Sequence, residues 1–176
     1  MLALCVCSAV AIGGCGGSSS NAPGTYVKSV CTALAKWSSS IRAAGTQLQS
    51  SSTSATSLNK GKQQYLAFVK ALVGDTDTAI GQLKKAGEPD VKRGKQISSE
   101  LVKAFAEAKA GLSNAANNAA AIPTSGAAAY QAAASGVTTQ IRQTLAQMAN
   151  VQPERDPQLH SAAAKEPRCR SLRSSA

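Results

Sequence analysis

The chain has 176 residues, with 19 Lys and Arg against 9 Asp and Glu for a formal charge of +10, and only 3% of its residues are aromatic. That length suits one domain with its own core and requires no second. Scarce aromatics beside abundant Ala, Ser, Gln and Lys describe an Ala-rich bundle of thin, closely packed helices, with the basic charge spread along the chain.

The chain opens on an apolar run, Met1 to Ile12, which closes on Ile12-Gly13-Gly14-Cys15 and then Gly16-Gly17-Ser18-Ser19-Ser20. Twelve residues are too few to cross a bilayer as a helix, which needs roughly 20. The run has the length of a signal h-region, and the Gly/Ser stretch has the composition of a flexible tether. Ile12 to Cys15 resembles the cleavage motif of bacterial lipoprotein signal peptides. The resemblance implies cutting before Cys15 and lipid attachment to that cysteine. No Lys or Arg precedes Lys28, so a normal basic n-region is expected from an upstream start codon.

Periodicity predicts four helices. The first follows Pro23-Gly24 with Thr25 as N-cap, and Val27, Val30, Leu34, Trp37, Ile41, Ala44 and Leu48 form its apolar stripe. A serine-rich break spans Ser50 to Ser57. The second stripe is Tyr65, Phe68, Leu72, Thr76, Ile80 and Leu83, with Gly87 at the helix C-terminus and Pro89 expected in the first turn of the next helix. Ile97, Leu101, Phe105, Ala108, Leu112, Ala115, Ala119 and Ile122 form the third stripe, ended by Pro123-Thr124-Ser125-Gly126. The fourth runs through Tyr130, Ala134, Val137, Ile141, Leu145 and Met148. Beyond Val151, Pro153, Pro157 and Pro167 divide a polar tail with one short helix expected from Asp156 to Lys165. Short connections favour antiparallel neighbours. The expected fold is therefore all-α, an antiparallel up-down four-helix bundle: residues 1–14 signal peptide, 15–24 tether, 25–152 bundle, 153–176 tail.

Cys5 and Cys7 fall in the signal and Cys15 is the lipid site, which leaves Cys31 and Cys169 in the folded part. An even pair outside the cytoplasm is most simply a disulfide. The bundle path brings the tail back to the end where helix one begins, close to Cys31. A loop that long is worth roughly 5 kcal/mol at most in the chain-entropy model. Two thiols and the distant His160 lack the clustered spacing of a zinc site.

The run Tyr26-Val27-Lys28-Ser29-Val30-Cys31-Thr32-Ala33-Leu34-Ala35-Lys36-Trp37, with Arg168-Cys169-Arg170-Ser171-Leu172 near the end, resembles a group of small actinobacterial lipoproteins. That group shows an early Val-Cys-x-Ala-Leu-x-x-Trp and a late Cys-x-x-Leu. The resemblance implies a secreted helical domain with one bridge, and it implies no activity.

The chain after Cys15 contains no Gly-x-Ser-x-Gly elbow, His-Glu-x-x-His, phosphate-binding glycine loop or Cys-x-x-Cys. His160, the only histidine, reads as a solvated surface residue. Asp75 and Asp77 lack the Gly and final Glu of a calcium loop. Glu88, Asp90, Glu100 and Glu107 are interleaved with Lys92, Arg93, Lys95, Lys103 and Lys109, as in helix-face pairing. Trp37, on the core stripe, reads as a packing anchor. No catalytic residue, metal or cofactor is expected.

Lys84, Lys85, Lys92, Arg93 and Lys95 surround the turn between helices two and three, while Lys165, Arg168, Arg170 and Arg173 crowd the C-terminus. Export makes nucleic acid an unsuitable target. Lipid headgroups or wall polymers supply the available anions, and each Lys or Arg near such a surface gains about 1 kcal/mol. Arg168, Arg170 and Arg173 are the expected contacts, with the helical cluster placed at the opposite end of the bundle from the lipid. The expected function is non-enzymatic: a lipid-anchored protein on the extracytoplasmic face of the cell membrane, binding an envelope protein or an anionic envelope component. The alternative is a carrier of a small apolar ligand between splayed helices beside Trp37, Tyr65 and Phe68.

Overall fold

A computed structural model describes residues 20–52, 56–149 and 156–173. The signal-peptide reading, Cys5, Cys7 and Cys15 lie outside the described residues. The elements are β1 (Ser20–Asn21), α1 (Pro23–Ser52), α2 (Leu58–Ala86), β2 (Glu88–Pro89), α3 (Gly94–Ala120), α4 (Ala127–Ala149), α5 (Pro157–Lys165) and α6 (Pro167–Arg173). Among the described residues the protein is all-α apart from one two-stranded parallel ladder that pairs Ser20 with Glu88 and Asn21 with Pro89.

The helix boundaries follow local chemistry. α1 begins two residues before the expected cap, because Pro23 has no N–H to leave unsatisfied in a first turn. Tyr26 N donates to Ala22 O at 3.0 Å and closes that turn. α1 also runs into the serine-rich segment, where Ser50 and Ser51 hydroxyls donate to the Gln47 and Leu48 carbonyls at 3.0 Å each. Ser57 caps α2 by accepting from Lys60 N. Gly87 ends α2 at φ 70°, a conformation that favours glycine, and its N–H donates to Lys84 O.

Pro89 does not open α3 as expected. It pairs in β2, and α3 begins at Gly94. Asn21 explains the detour: its Nδ2 donates to Ala86 O at 2.9 Å, and its carbonyl accepts from Asp90 N at 2.8 Å. One residue thus satisfies a carbonyl left over at the α2 C-terminus and holds the start of the turn.

α1 packs on α2, α2 on α3 and α3 on α4, while α5 and α6 pack on α1. The core formed by the described residues divides into two clusters. The first holds Tyr26, Val27, Val30, Cys31, Leu83, Leu101 and Phe105 together with Leu159, Ala163 and Cys169 of the tail. The second holds Val69, Leu72, Leu112, Ala115, Ile122, Val137 and Ile141. The tail is therefore core material at the end where α1 begins, hereafter the proximal end. Asp156 starts α5 by accepting from the N–H groups of Gln158 and Leu159.

Small residues set the helix spacing, as the composition predicts. A Cβ on Gly111 of α3 would stand 2.7 Å from Thr144 Oγ1 of α4, so the two helices meet where glycine leaves room. Trp37 packs edge-on against Phe105 with centroids 5.2 Å apart. Its indole N–H donates to Thr76 Oγ1, and Thr76 in turn donates to Leu72 O at 2.7 Å. That buried hydroxyl is what makes a threonine acceptable on the α2 stripe.

Candidate functional site

The proximal end gathers most of the residues singled out from the sequence. Cys31 and Cys169 form a disulfide with Cα atoms 5.2 Å apart and a sequence separation of 138. Both are buried in the first cluster. Arg168 is exposed, and its guanidinium donates to Thr32 Oγ1, one residue from the bridge. Arg170 is exposed on α6, and Arg173 is the last residue of that helix. Glu166 accepts from Arg168 N and so starts α6.

The basic turn lies where the sequence reading did not put it. Lys84, Lys85, Lys92, Arg93 and Lys95 are all exposed, and pairing of β1 with β2 sets their turn beside Ser20 and Asn21. The turn is at the proximal end, not the opposite one. The physical reason is path parity: a chain that turns back after each helix has returned to its starting end after two. A cleft of about 460 Å³ in this region is lined by Asn21, Lys84, Lys85, Ser98 and Ser99 among others. A second, of about 660 Å³, lies between Pro23 and Gly24 on one side and α5 with Lys165 on the other.

Three of the carboxylates singled out from the sequence have side-chain partners. Asp77 pairs with Lys109 across α2 and α3 at 2.6 Å. Glu107 pairs with Lys103 one turn away at 3.7 Å, and Glu100 accepts from Gln96 Nε2 at 2.7 Å. Such exposed pairs are worth little individually. Asp75 is half-buried on α2, Glu88 lies in β2 and Asp90 follows it. His160 is exposed on α5. Among the described residues no three of His, Cys, Asp and Glu are grouped to hold a metal ion, and no helix is long and apolar enough to cross a membrane.

The three aromatics of the carrier reading are divided between the clusters. Trp37 packs against the first, and Tyr65 and Phe68 stack on each other, centroids 6.2 Å apart, against the second. Tyr65 also shares a 2.8 Å hydrogen bond with Thr138 of α4. Burial raises the Tyr65 pKa, and that hydrogen bond works against the rise. A cleft of about 650 Å³ at the distal end takes Leu48, Leu58, Tyr65 and Tyr130 into its wall.

Sequence reasoning missed Tyr26, which is 2% exposed in the first cluster. Its hydroxyl has no hydrogen-bond partner among the described residues, and burial pushes its pKa up to about 12. The protonated phenol is therefore the form the fold tolerates. Above pH 10 the unfolded chain ionises Tyr26 while the folded chain does not, so stability is lost as pH rises from 10 towards 12. The loss approaches about 3 kcal/mol across that window. Tyr26→Phe should lose less stability over that window, keeping only the part that Tyr65 contributes, and should match or exceed the parent stability at pH 7 by up to about 1 kcal/mol, because an unsatisfied buried hydroxyl disappears. Denaturant titrations of both proteins at pH 7 and 11 check this. A larger alkaline loss in Tyr26→Phe than in the parent would contradict it.

Compared with protein-family models, curated proteins and solved structures, the chain matches none of them.

Proposed function

We propose that this chain is a non-enzymatic lipoprotein of a bacterial cell envelope, cut before Cys15 and held on the extracytoplasmic face of the membrane by acyl chains on that cysteine. Its helical domain presents a surface to a partner protein or an anionic envelope component, with Arg168, Arg170 and Arg173 among the contacts. The architecture fits an up-down arrangement of α1 to α4 with a tail tied back onto α1. Partner numbers fall as the chain advances, from Asn21 with Ala86 to Trp37 with Thr76 and from Gly111 beside Thr144 to Asn118 with Gln140, which supports opposite directions for α1 and α2 and for α3 and α4.

The observation that carries the reading is the buried Cys31–Cys169 bridge. A structural disulfide that stitches the tail into the core belongs to an oxidising compartment, where the Ile12-to-Cys15 motif would deliver the chain. The carrier reading draws on the distal cleft beside Leu48, Tyr65 and Tyr130. It is the weaker of the two, because Tyr65 is engaged by Thr138 and Trp37 lies in the other cluster.

The anchored reading is tested by Cys15→Ala in the native cell. Two acyl chains hold a protein on a bilayer stably where none would, so the variant is expected to leave the membrane fraction in a high-salt wash that the parent resists. Unchanged fractionation would overturn the reading.

A further inference from the structure

We propose that the proximal end is a basic platform that lies against anionic phospholipid headgroups, with the α2–α3 turn as its main contact. The inference rests on the lipid-anchored reading and adds the surface that faces the bilayer.

Reach comes first. Ser20 stands opposite Glu88 in the ladder, and only four residues, five steps of the chain, separate it from Cys15. Fully extended, five steps span at most about 18 Å. An acylated Cys15 would keep the β1–β2 ladder within that distance of the bilayer surface, and the turn carrying Lys84, Lys85, Lys92, Arg93 and Lys95 is fastened to the ladder through Asn21. These five cations are exposed, and the carboxylates among them are Glu88 and Asp90. Lys165 stands at the same level, in the cleft beside Pro23.

Distance then ranks the two basic groups. Arg168 is held to Thr32, nine residues into α1 and so about 14 Å from its start. That exceeds the screening length of about 10 Å at 0.1 M salt. The tail arginines therefore act from the flank, and the turn acts at the surface. Exposed Arg42, Lys60 and Lys70 stand roughly 24 to 39 Å from the proximal end by helix rise, outside the range of the headgroups. Each Lys or Arg close to an anionic leaflet strengthens association roughly fivefold.

The test uses the chain from Gly16 onward, which keeps every described residue and carries no lipid. It is sedimented with phosphatidylglycerol/phosphatidylcholine vesicles and with phosphatidylcholine alone, at low and high salt. Binding is expected only to the anionic vesicles, and it should fade with salt. Reversal of Lys92, Arg93 and Lys95 to Glu should weaken it about a hundredfold or more. Arg168→Glu with Arg170→Glu should weaken it less than tenfold, and reversal of Arg42, Lys60 and Lys70 less than threefold. Equal losses from the turn and distal sets would overturn the platform, as would a tail loss larger than the turn loss. Binding to purified anionic wall polymer but not to vesicles would also overturn it. Lysine acetylation of the full chain in anionic bilayers gives a readout that needs no variant: Lys84, Lys85, Lys92 and Lys95 should be protected relative to Lys60 and Lys70, and equal labelling would contradict the proposal. Vesicle binding by this chain, alongside native protein whose Cys15 is unmodified, would sink the anchored reading and leave the platform standing, which separates the two failures.

Discussion

Replacement of either Cys31 or Cys169 by serine is expected to lower folding stability by about 2–5 kcal/mol and the melting temperature by about 10 °C. The bridge spans a sequence separation of 138, for which restriction of the unfolded chain gives about 5 kcal/mol as an upper value. The native state supplies a second reason. α5 and α6 bury Leu159, Ala163 and Cys169 against Val27, Val30 and Tyr26, and helices of 9 and 7 residues are too short to persist without tertiary support. Once the bridge is gone, the tail should open before the rest of the protein, and limited proteolysis should cut between α4 and α5 first. Thermal melts under oxidising conditions read the first effect and timed digestion the second. Because each replacement removes the same bond, the double variant should match the single ones. A double variant markedly less stable than either single, or a tail that resists protease in all three, would contradict the account.

Gly94→Ala is expected to destabilise the protein by about 3 kcal/mol or more. An added Cβ would stand 1.8 Å from Pro89 O and 3.0 Å from Pro89 C, so the obstacle is backbone. That backbone has no freedom to retreat. Pro89 O accepts from Val91 N at 2.9 Å, Gly94 N donates to Val91 O at 2.9 Å, and Asp90 N is held by Asn21 O at 2.8 Å. Relief requires the turn to swing out and the β1–β2 ladder to part. Alanine's better helix propensity, about 1 kcal/mol in a helix interior, is too small to offset this. Hydrogen exchange should show the change locally, as lost protection of the Asp90 amide, and a melt should show it globally. A variant as stable as the parent would mean that the turn is not fixed by this contact.

How much of this was legible from residues alone depended on whether a feature has a period. The α3 stripe, Leu101 to Ile122, is buried nearly residue for residue as spacing predicts. Trp37, Leu72, Thr76 and Ile141 also lie on the packed faces assigned to them. The Cys31–Cys169 pair followed from compartment and chain path together. Two-residue strands have no periodicity, so the β1–β2 ladder left no trace beyond Asn21, whose partners are a carbonyl and an amide far along the chain. The start of α3 was misplaced for the same reason, since Pro89 is as acceptable at a strand edge as at a helix start. α6 carried a faint signal in Cys169 and Leu172 at a helical spacing of three, set among Arg and Ser. Tyr26 and Ala33 were legible neighbours of the α1 stripe, and they are buried because the tail widens the face that α1 must cover. The basic turn was misplaced by an error of path rather than of pattern: its residues were identified, and its end of the molecule was not.

Lipid on Cys15 is expected to carry this helical domain on a membrane. Intact mass measurement of the protein extracted from native membranes, with fragmentation of its N-terminus, reads that attachment. The expected result is a mature chain that begins at Cys15 and carries a diacylglyceryl group. A chain that retains residues before Cys15, or begins elsewhere with Cys15 unmodified, would contradict the claim.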